Sequence, residues 1–210
     1  PALPPDAVDR RGSAPAGIIG ALVESGEPVL VVAADAVLRL DQCRGRIGGF
    51  ELCSWDALAE DPGIAEGHTH LVALDPPLEQ AHDELLSRLA GRHLVHLAWG
   101  EAELRCSRDA LDRDLSPRQV LAGAYRALRD GLDLGAAFGR IPAAAAGRML
   151  AILLEIGVVE VTGDGRVAVP EGVAPADLQQ SSLVRDGEHR AQERAAWLSR
   201  LASSPVGRAA

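Results

Sequence analysis

The sequence contains no lysine and few aromatic side chains. All 21 of its cationic side chains are arginines, and three Trp, two Phe and one Tyr are the only aromatic residues in 210. A hydrophobic core must therefore be built from Leu, Val, Ile and Ala. A phosphate-binding loop of the form G-x-x-x-x-G-K-[ST] is excluded because it requires a lysine. The G-x-G-x-x-G dinucleotide fingerprint is absent as well.

Cysteine is also scarce, and long apolar runs are missing. Cys43, Cys53 and Cys106 are odd in number and show no C-x-x-C spacing. This pattern argues against a zinc site or a disulfide framework and favours reduced, mostly buried thiols. No apolar run approaches the ~20 residues needed to span a bilayer, and the start does not have the pattern of a signal peptide. We therefore expect a cytoplasmic protein without membrane contact.

The start of the chain and its charge distribution suggest how it is organised. The opening "PALPP" is typical of a linker, so we expect residues 1–12 to connect to a preceding domain. The whole net charge of −9 lies within residues 1–110, because acids and arginines balance in the remainder. That acidic half should not attract nucleic acid by itself.

The first half alternates predicted strands and helices. This spacing indicates βαβ units and a mostly parallel sheet with helices on both faces. We predict a small three-layer α/β domain over residues 13–110, of a degenerate Rossmann-like or helicase-like kind without a phosphate loop. The predicted strands are 28–35, 50–55, 70–75 and 93–99, and the main helices are 15–25, 36–47 and 78–91. A short helix is expected to begin with Asp56 as its N-cap, and the segment around Glu101 and Glu103 is interpreted as a solvent-exposed connector.

The second half has a different character. Three predicted helices (115–131, 133–142 and 143–159) precede a hairpin whose turn is Thr162-Gly163-Asp164-Gly165. Helices followed by a two-stranded wing predict a winged-helix-like domain over residues 111–172. The tail, 173–210, contains an amphipathic helix at roughly 187–202 that could dock on either domain or on a partner.

The run "HLVALDPP" places Asp75 at the end of a buried strand, where many nucleotide-handling folds have a catalytic or metal-binding carboxylate. Without a phosphate loop, such a carboxylate has no nucleotide to act on. We therefore interpret Asp75 as the end of the strand and a local cap before Pro76 and Pro77, and Asp35 in the same way. No catalytic or cofactor-binding residue is predicted in this chain.

The histidines form the nearest pattern to a metal site. His68 and His70 would share one face of a strand, and His93 and His96 follow in the next strand. No Asp, Glu or Cys set completes a recognisable site of at least three ligands. We therefore predict no metal site.

Arginines are the candidate contact residues. The exposed face of the third helix of the winged-helix-like domain would carry Ala144, Arg148, Ala151 and Glu155, which offers little for reading base edges. Protein contact is therefore favoured over duplex recognition. The candidate residues for contact with a partner or with DNA are Arg118, Arg126, Arg140, Arg148, Arg166, Arg190 and Arg194.

Six segments follow one another in a distinctive order: "VDRRG" (8–12), "GEPVLVVAAD" (26–35), "HTHLVALDPP" (68–77), "LSPRQVLAGAYRALRDG" (115–131), "AAGRMLAILLEIGVVEV" (145–161) and "ADLQQSSLVRDGEHR" (176–190). This order resembles the C-terminal region of the bacterial single-strand-specific exonuclease RecJ, and the resemblance covers most of the chain. Its most specific parts are Asp9-Arg10-Arg11 at the start, the strand that ends in Leu74-Asp75-Pro76-Pro77, and the helix containing Leu153-Leu154-Glu155-Ile156-Gly157.

The resemblance implies a module without chemistry of its own. The nuclease core of that family uses a manganese or magnesium centre with an Asp-His-His motif, and this chain contains no Asp-His-His. The implied partners are the preceding nuclease core in cis and a single-strand-binding protein or helicase, with single-stranded DNA as a further candidate. The alternative from the residues alone is a transcription regulator with an α/β sensor domain and a winged-helix DNA-binding domain.

Overall fold

The computed structural model describes residues 7–115, 117–139, 141, 143–172 and 176–203. The chain divides into two units. The first contains the residues up to Leu111 together with those from Glu193 onward, and the second contains Asp112–Gln192. Helices α5 (Glu101–Leu115) and α9 (Ser182–Ser203) each have residues in both units.

A five-stranded parallel sheet forms the centre of the first unit. Its strand order is β1-β5-β4-β2-β3. The strands are β1 (Val8–Asp9), β2 (Val29–Ala33), β3 (Glu51–Ser54), β4 (His70–Ala73) and β5 (Leu94–Leu97). The prediction of an α/β unit with a parallel sheet is confirmed.

Strand β2 shows that hydrophobic clusters lie on both faces of the sheet. All five of its residues are buried. Leu30 and Val32 belong to one cluster, whereas Val29 and Val31 belong to another. Alternate side chains of a strand point to opposite faces, so a strand covered on both faces has no position for a polar residue. This is why the sequence of β2 is apolar throughout.

The two clusters draw on different helices. Helix α1 supplies Ile18, Ile19 and Leu22 to the cluster of Val29 and Val31. The other cluster takes side chains from α3, α4, α5 and the end of α9. The helices of this unit, apart from α5 and α9, are α1 (Pro15–Glu24), α2 (Ala36–Cys43), α3 (Trp55–Glu60) and α4 (Gln80–Leu89), with a 3₁₀ turn at Pro62–Ala65.

Three local features of this unit differ from the sequence prediction. Val8–Asp9, within the segment assigned to a linker, pairs with β5 as an edge strand. The segment around Glu101 and Glu103, interpreted as a solvent-exposed connector, is the first part of α5, in which Glu101 is exposed but Ser107 is buried. The N-cap of α3 is Ser54, whose Oγ accepts a hydrogen bond from the Ala57 N–H at 3.2 Å, because the helix already begins at Trp55.

The second unit contains three helices and a hairpin in the predicted order. Its core includes side chains from all three helices, among them Leu121, Phe138 and Leu153. The winged-helix assignment itself stays a prediction. The elements are α6 (Pro117–Arg129), α7 (Leu134–Phe138), α8 (Ala143–Glu155), β6 (Glu160–Val161) and β7 (Val167–Ala168).

The turn of the hairpin lies where the sequence predicts it. The Gly165 N–H donates to the Thr162 carbonyl at 2.8 Å, and the φ of Gly165 is 80°, in the left-handed region that favours glycine. Strands β6 and β7 pair antiparallel, with Val161 opposite Val167. The predicted hairpin is therefore confirmed.

Helix α9 begins about a turn earlier than the sequence pattern indicates. Ser181 is its N-cap, since its Oγ accepts from the Val184 N–H at 3.2 Å. Glu155, at the end of α8, accepts from the Ser181 hydroxyl at 2.5 Å and from the Ser182 N–H at 2.8 Å. A carboxylate at a helix N-terminus is favourable, and these hydrogen bonds lower the pKa of Glu155 to about 2.

The last turns of α9 pack in the first unit. Leu198 is fully buried, and the indole N–H of Trp197 donates to the Pro77 carbonyl at 3.0 Å. In the described parts of the chain, no helix has the combined length and apolar character required to cross a membrane.

Because Leu198 has 0% exposure, Leu198→Ala should lower the free energy of unfolding by about 2–5 kcal/mol through lost burial and a residual cavity. Leu183→Ala is the matched control, since Leu183 lies on the same helix with 43% exposure, and it should change stability by about 0.5 kcal/mol or less. Urea unfolding followed by tryptophan fluorescence measures both. Equal effects of the two substitutions would contradict the packing of α9 described above.

Candidate functional site at the carboxyl ends of the strands

The order of the strands reverses between β2 and β4. The chain leaves β2 for its neighbour β3 on one side and then returns to β4 on the other side of β2. In open α/β sheets, ligands bind in the crevice outside the carboxyl ends of the strands at such a reversal. The residues that follow β2 and β4 therefore define the candidate site of the first unit.

Asp75 lies in this crevice with 0% exposure. Its Oδ2 accepts hydrogen bonds from the Ala34 N–H at 2.9 Å and from Arg39 Nε at 3.1 Å. Its Oδ1 forms a close ion pair with the second guanidinium nitrogen, Nη2, of Arg39. The carboxylate is thus bound by a guanidinium fork and one backbone amide, which is the strong bidentate arrangement.

The backbone around Asp75 is fixed as well. The indole N–H of Trp55 donates to the Asp75 carbonyl at 3.1 Å, and the Leu74 N–H donates to the Val32 carbonyl at 2.9 Å. The side chain of Asp75 is therefore positioned from both β2 and α3.

Burial and the ion pair act in opposite directions on the pKa of each member of the pair. Burial raises the pKa of the Asp75 carboxyl, while the hydrogen bond and the charge of Arg39 act in the opposite direction. For Arg39, burial lowers the pKa, but its hydrogen bond and ion pair with Asp75 outweigh this effect and raise it. Because the two buried charges neutralise each other, the pair attracts an external charged ligand only weakly.

The interpretation of Asp75 as a local cap is wrong, because its hydrogen-bond partners are distant in the sequence. Those partners, Ala34 and Arg39, lie 41 and 36 residues away along the chain. Asp35 is the local cap, since its Oδ1 accepts from the Leu38 N–H at 2.9 Å at the start of α2. The two acidic residues that end β2 and β4 thus have different roles.

The histidines separate into two groups. His70 Nδ1 lies 3.0 Å from His96 Nε2, and both rings are buried. His93 Nδ1 lies 2.8 Å from the His68 carbonyl, and His68 Nε2 lies 3.6 Å from a carboxylate oxygen of Glu51. Among the residues that the structure describes, no three His, Cys, Asp or Glu side chains form a group that could hold a metal ion.

Most of the predicted contact arginines lie on the surface of the second unit. Arg126 donates to the Ala122 carbonyl at 3.0 Å, and Arg166 Nε lies 3.5 Å from the Asp164 carboxylate. Arg140 lies outside the described residues. The exposed members of the predicted set are Arg118, Arg126, Arg148, Arg166 and Arg190.

Arg194 is the exception, and its prediction as a contact residue requires correction. Its side chain is buried in the first unit. Nε donates to Glu79 at 2.9 Å, and Nη2 donates to Asp56 at 2.6 Å. Because both carboxylates already accept from its guanidinium, Arg194 attaches the end of α9 to α3 and to the start of α4.

Sequence reasoning missed Arg39 and the surroundings of Arg194. The buried imidazole of His82 stacks on Trp55, with ring centroids 5.6 Å apart, and its Nε2 lies 3.5 Å from the Asp56 carboxylate. An arginine inside an amphipathic helix is ordinarily exposed, so neither arginine carried a local signal.

Comparison of the chain with protein-family models, with curated proteins and with solved structures finds no match.

Removing the cation of the buried pair should be costly. Arg39→Met leaves the Asp75 carboxylate buried without its partner, and we expect the free energy of unfolding to fall by about 3–5 kcal/mol. Arg44→Met is the matched control, since Arg44 and Asp41 form an exposed ion pair at 3.8 Å, whose loss should cost less than about 1 kcal/mol. Urea denaturation compares them, and similar losses would contradict the importance of the pair.

The buried histidine pair predicts a pH dependence. Burial, together with the charge of Arg10 and with His70, lowers the pKa of His96 to about 4, whereas an unfolded histidine titrates near about 6.5. Between these values the unfolded chain binds the extra proton, so stability should fall as the pH falls, by at most about 1.4 kcal/mol per pH unit.

His96→Phe should remove this part of the dependence of stability on pH. Unfolding curves of the wild type and the variant at about pH 4.5, 5.5 and 7 give the free energies of unfolding, and the difference between the two proteins at each pH measures the contribution of His96. The contribution of His96 should be fully present above about pH 6.5. Parallel stability profiles for the two proteins would contradict the assignment.

Proposed function

We propose that this chain is a non-catalytic C-terminal module of a RecJ-like 5′-to-3′ single-stranded-DNA exonuclease in DNA repair and recombination, and that it acts by protein contact. The observation that carries the proposal is the occupied crevice of the parallel sheet. Where a nucleotide-handling α/β unit binds its ligand, this chain has the buried Arg39–Asp75 ion pair. The ordered resemblance of the sequence to the RecJ C-terminal region supports the same proposal.

Charge supports protein contact over duplex recognition. Each candidate arginine of the second unit lies on a chain segment in which acids balance arginines, so few counterions would be released on DNA binding. On the exposed face of α8, Arg148 is the one arginine, and Glu155 is engaged with Ser181 and Ser182. A winged-helix-like unit with this surface is better suited to packing and partner binding than to reading bases.

The proposed partner is a single-strand-binding protein or a helicase, and the preceding nuclease core would be its neighbour in cis. The acidic first unit would repel an acidic segment of such a partner, so the exposed arginines of the second unit are its candidate contacts, through individual ion pairs and not through a net positive charge. Single-stranded DNA is a second candidate ligand for the same arginines, through its phosphates. The manganese or magnesium chemistry of the exonuclease would belong to the preceding core.

Binding of an acidic peptide from the tail of a single-strand-binding protein tests the proposal. Fluorescence anisotropy should detect saturable binding to the whole chain, weakened about tenfold by the double variant Arg126→Glu/Arg148→Glu. Arg92→Glu is the matched control, since Arg92 is equally exposed but lies in the first unit. No binding, or equal loss with the control, would contradict protein contact by the second unit.

A transcription regulator is the alternative function, and it predicts different behaviour. It requires tight, salt-dependent binding to duplex DNA and a homodimer with two recognition helices. A gel-shift assay on random duplex, together with the mass of the chain in solution, distinguishes it. Nuclease activity of the purified chain on 5′-labelled single strands would contradict both functions.

A further inference from the structure

Three hydrogen-bond donors converge on one point of the crevice. They are the backbone N–H of Ala34 and the Nε and Nη2 groups of Arg39. All three belong to the segment formed by the end of β2 and helix α2. In dinucleotide-binding α/β folds, a strand-to-helix turn at the reversal of the strand order binds the pyrophosphate.

The group that receives these donors comes from a different strand. Asp75 follows β4, and its two carboxylate oxygens divide the donors between them. The guanidinium side chain is only 11% exposed, so the donors are largely withdrawn from water. Removing the Asp75 side chain would leave the Ala34 N–H and the Nε and Nη2 groups of Arg39 without their acceptor, while Nη1 keeps its hydrogen bond to Gln42 Oε1 at 3.0 Å. Buried donors without an acceptor carry a large desolvation cost.

We propose that the β2–α2 segment is an anion-binding site whose resident ligand is the carboxylate of the chain's own Asp75, and that it binds a free small monocarboxylate when that side chain is removed. The site does not require that the carboxylate be part of the chain, because the Ala34 N–H and Arg39 supply all the donors that Asp75 accepts from. In the native chain, the Asp75 carboxylate is held next to the donors by the backbone, so its effective concentration is higher than that of free anions in solution. Free anions therefore do not displace it.

The chemistry of the site selects the class of ligand. A carboxylate has two oxygens on one carbon, which match the guanidinium fork and the amide together. The nearby carboxylate of Glu103 repels a further negative charge at this position. Formate and acetate, each with a single charge, therefore fit better than phosphate, which is larger and partly doubly charged at neutral pH.

The test uses the whole chain with Asp75→Gly, which removes the carboxylate and its methylene group and leaves space for formate. Thermal unfolding is followed in sodium formate and in sodium chloride of equal ionic strength. The Tm of the variant should rise with formate over chloride, by about 4 °C at ten times the Kd. The wild type and Asp133→Gly, which loses a helix N-cap carboxylate in the second unit, should show no difference between the salts.

A second measurement separates binding at this site from a general salt effect. In a titration of the Asp75→Gly chain with formate, the amide signal of Ala34 should shift in ¹H–¹⁵N spectra and saturate. The double variant Arg39→Gln/Asp75→Gly should lose both the Tm gain and the saturation. If Asp75→Gly does not fold in chloride, recovery of the folded far-ultraviolet spectrum in formate is the expected result, and Asp75→Ala provides the second variant.

The proposal is overturned if neither Asp75 variant responds to formate or acetate more than to chloride. It is also overturned if the double variant without Arg39 responds equally. Saturable phosphate binding with no response to monocarboxylates would contradict the assigned class of ligand.

Discussion

The buried ion pair between Arg39 and Asp75 is the interaction on which the first unit depends. A carboxylate with 0% exposure is tolerated only when its charge and its hydrogen bonds are fully satisfied. The guanidinium fork and the Ala34 N–H satisfy it, and they join the end of β2, helix α2 and the end of β4 at the point where the strand order reverses. At the place where an α/β sheet ordinarily binds a ligand, the polar groups of this chain therefore bind one another.

Much of the fold of the first unit follows from the sequence, because a strand buried on both faces and an amphipathic helix have different apolar periods. The parallel sheet could be predicted in this way. Strand β1 could not, since two residues carry no period, and α5 was missed because its many charges resemble a connector. The start of α3 was misplaced by two residues, since Ser54 and Asp56 are both good N-cap residues.

The candidate site was predictable only in part. That an acidic residue ends a buried strand is visible in the sequence, but its partners lie 36 and 41 residues away, and no local pattern encodes that distance. Arg194 illustrates the same difficulty, because the burial of an arginine in α9 depends on Asp56 and Glu79 in other elements. The exposed arginines of the second unit are the proposed contact residues. Their exposure could be predicted from the sequence, because it does not depend on partners elsewhere in the chain.

Titration of the whole chain with ATP and magnesium by calorimetry tests most directly whether the crevice is closed. A filled crevice without a phosphate loop predicts no saturable heat, in the wild type and in a variant with the exposed pair Arg44–Asp41 removed. Saturable ATP binding by the wild type that is lost in Arg39→Met would contradict this account of the ion pair. The guanidinium of Arg39 would then bind a nucleotide phosphate and not Asp75.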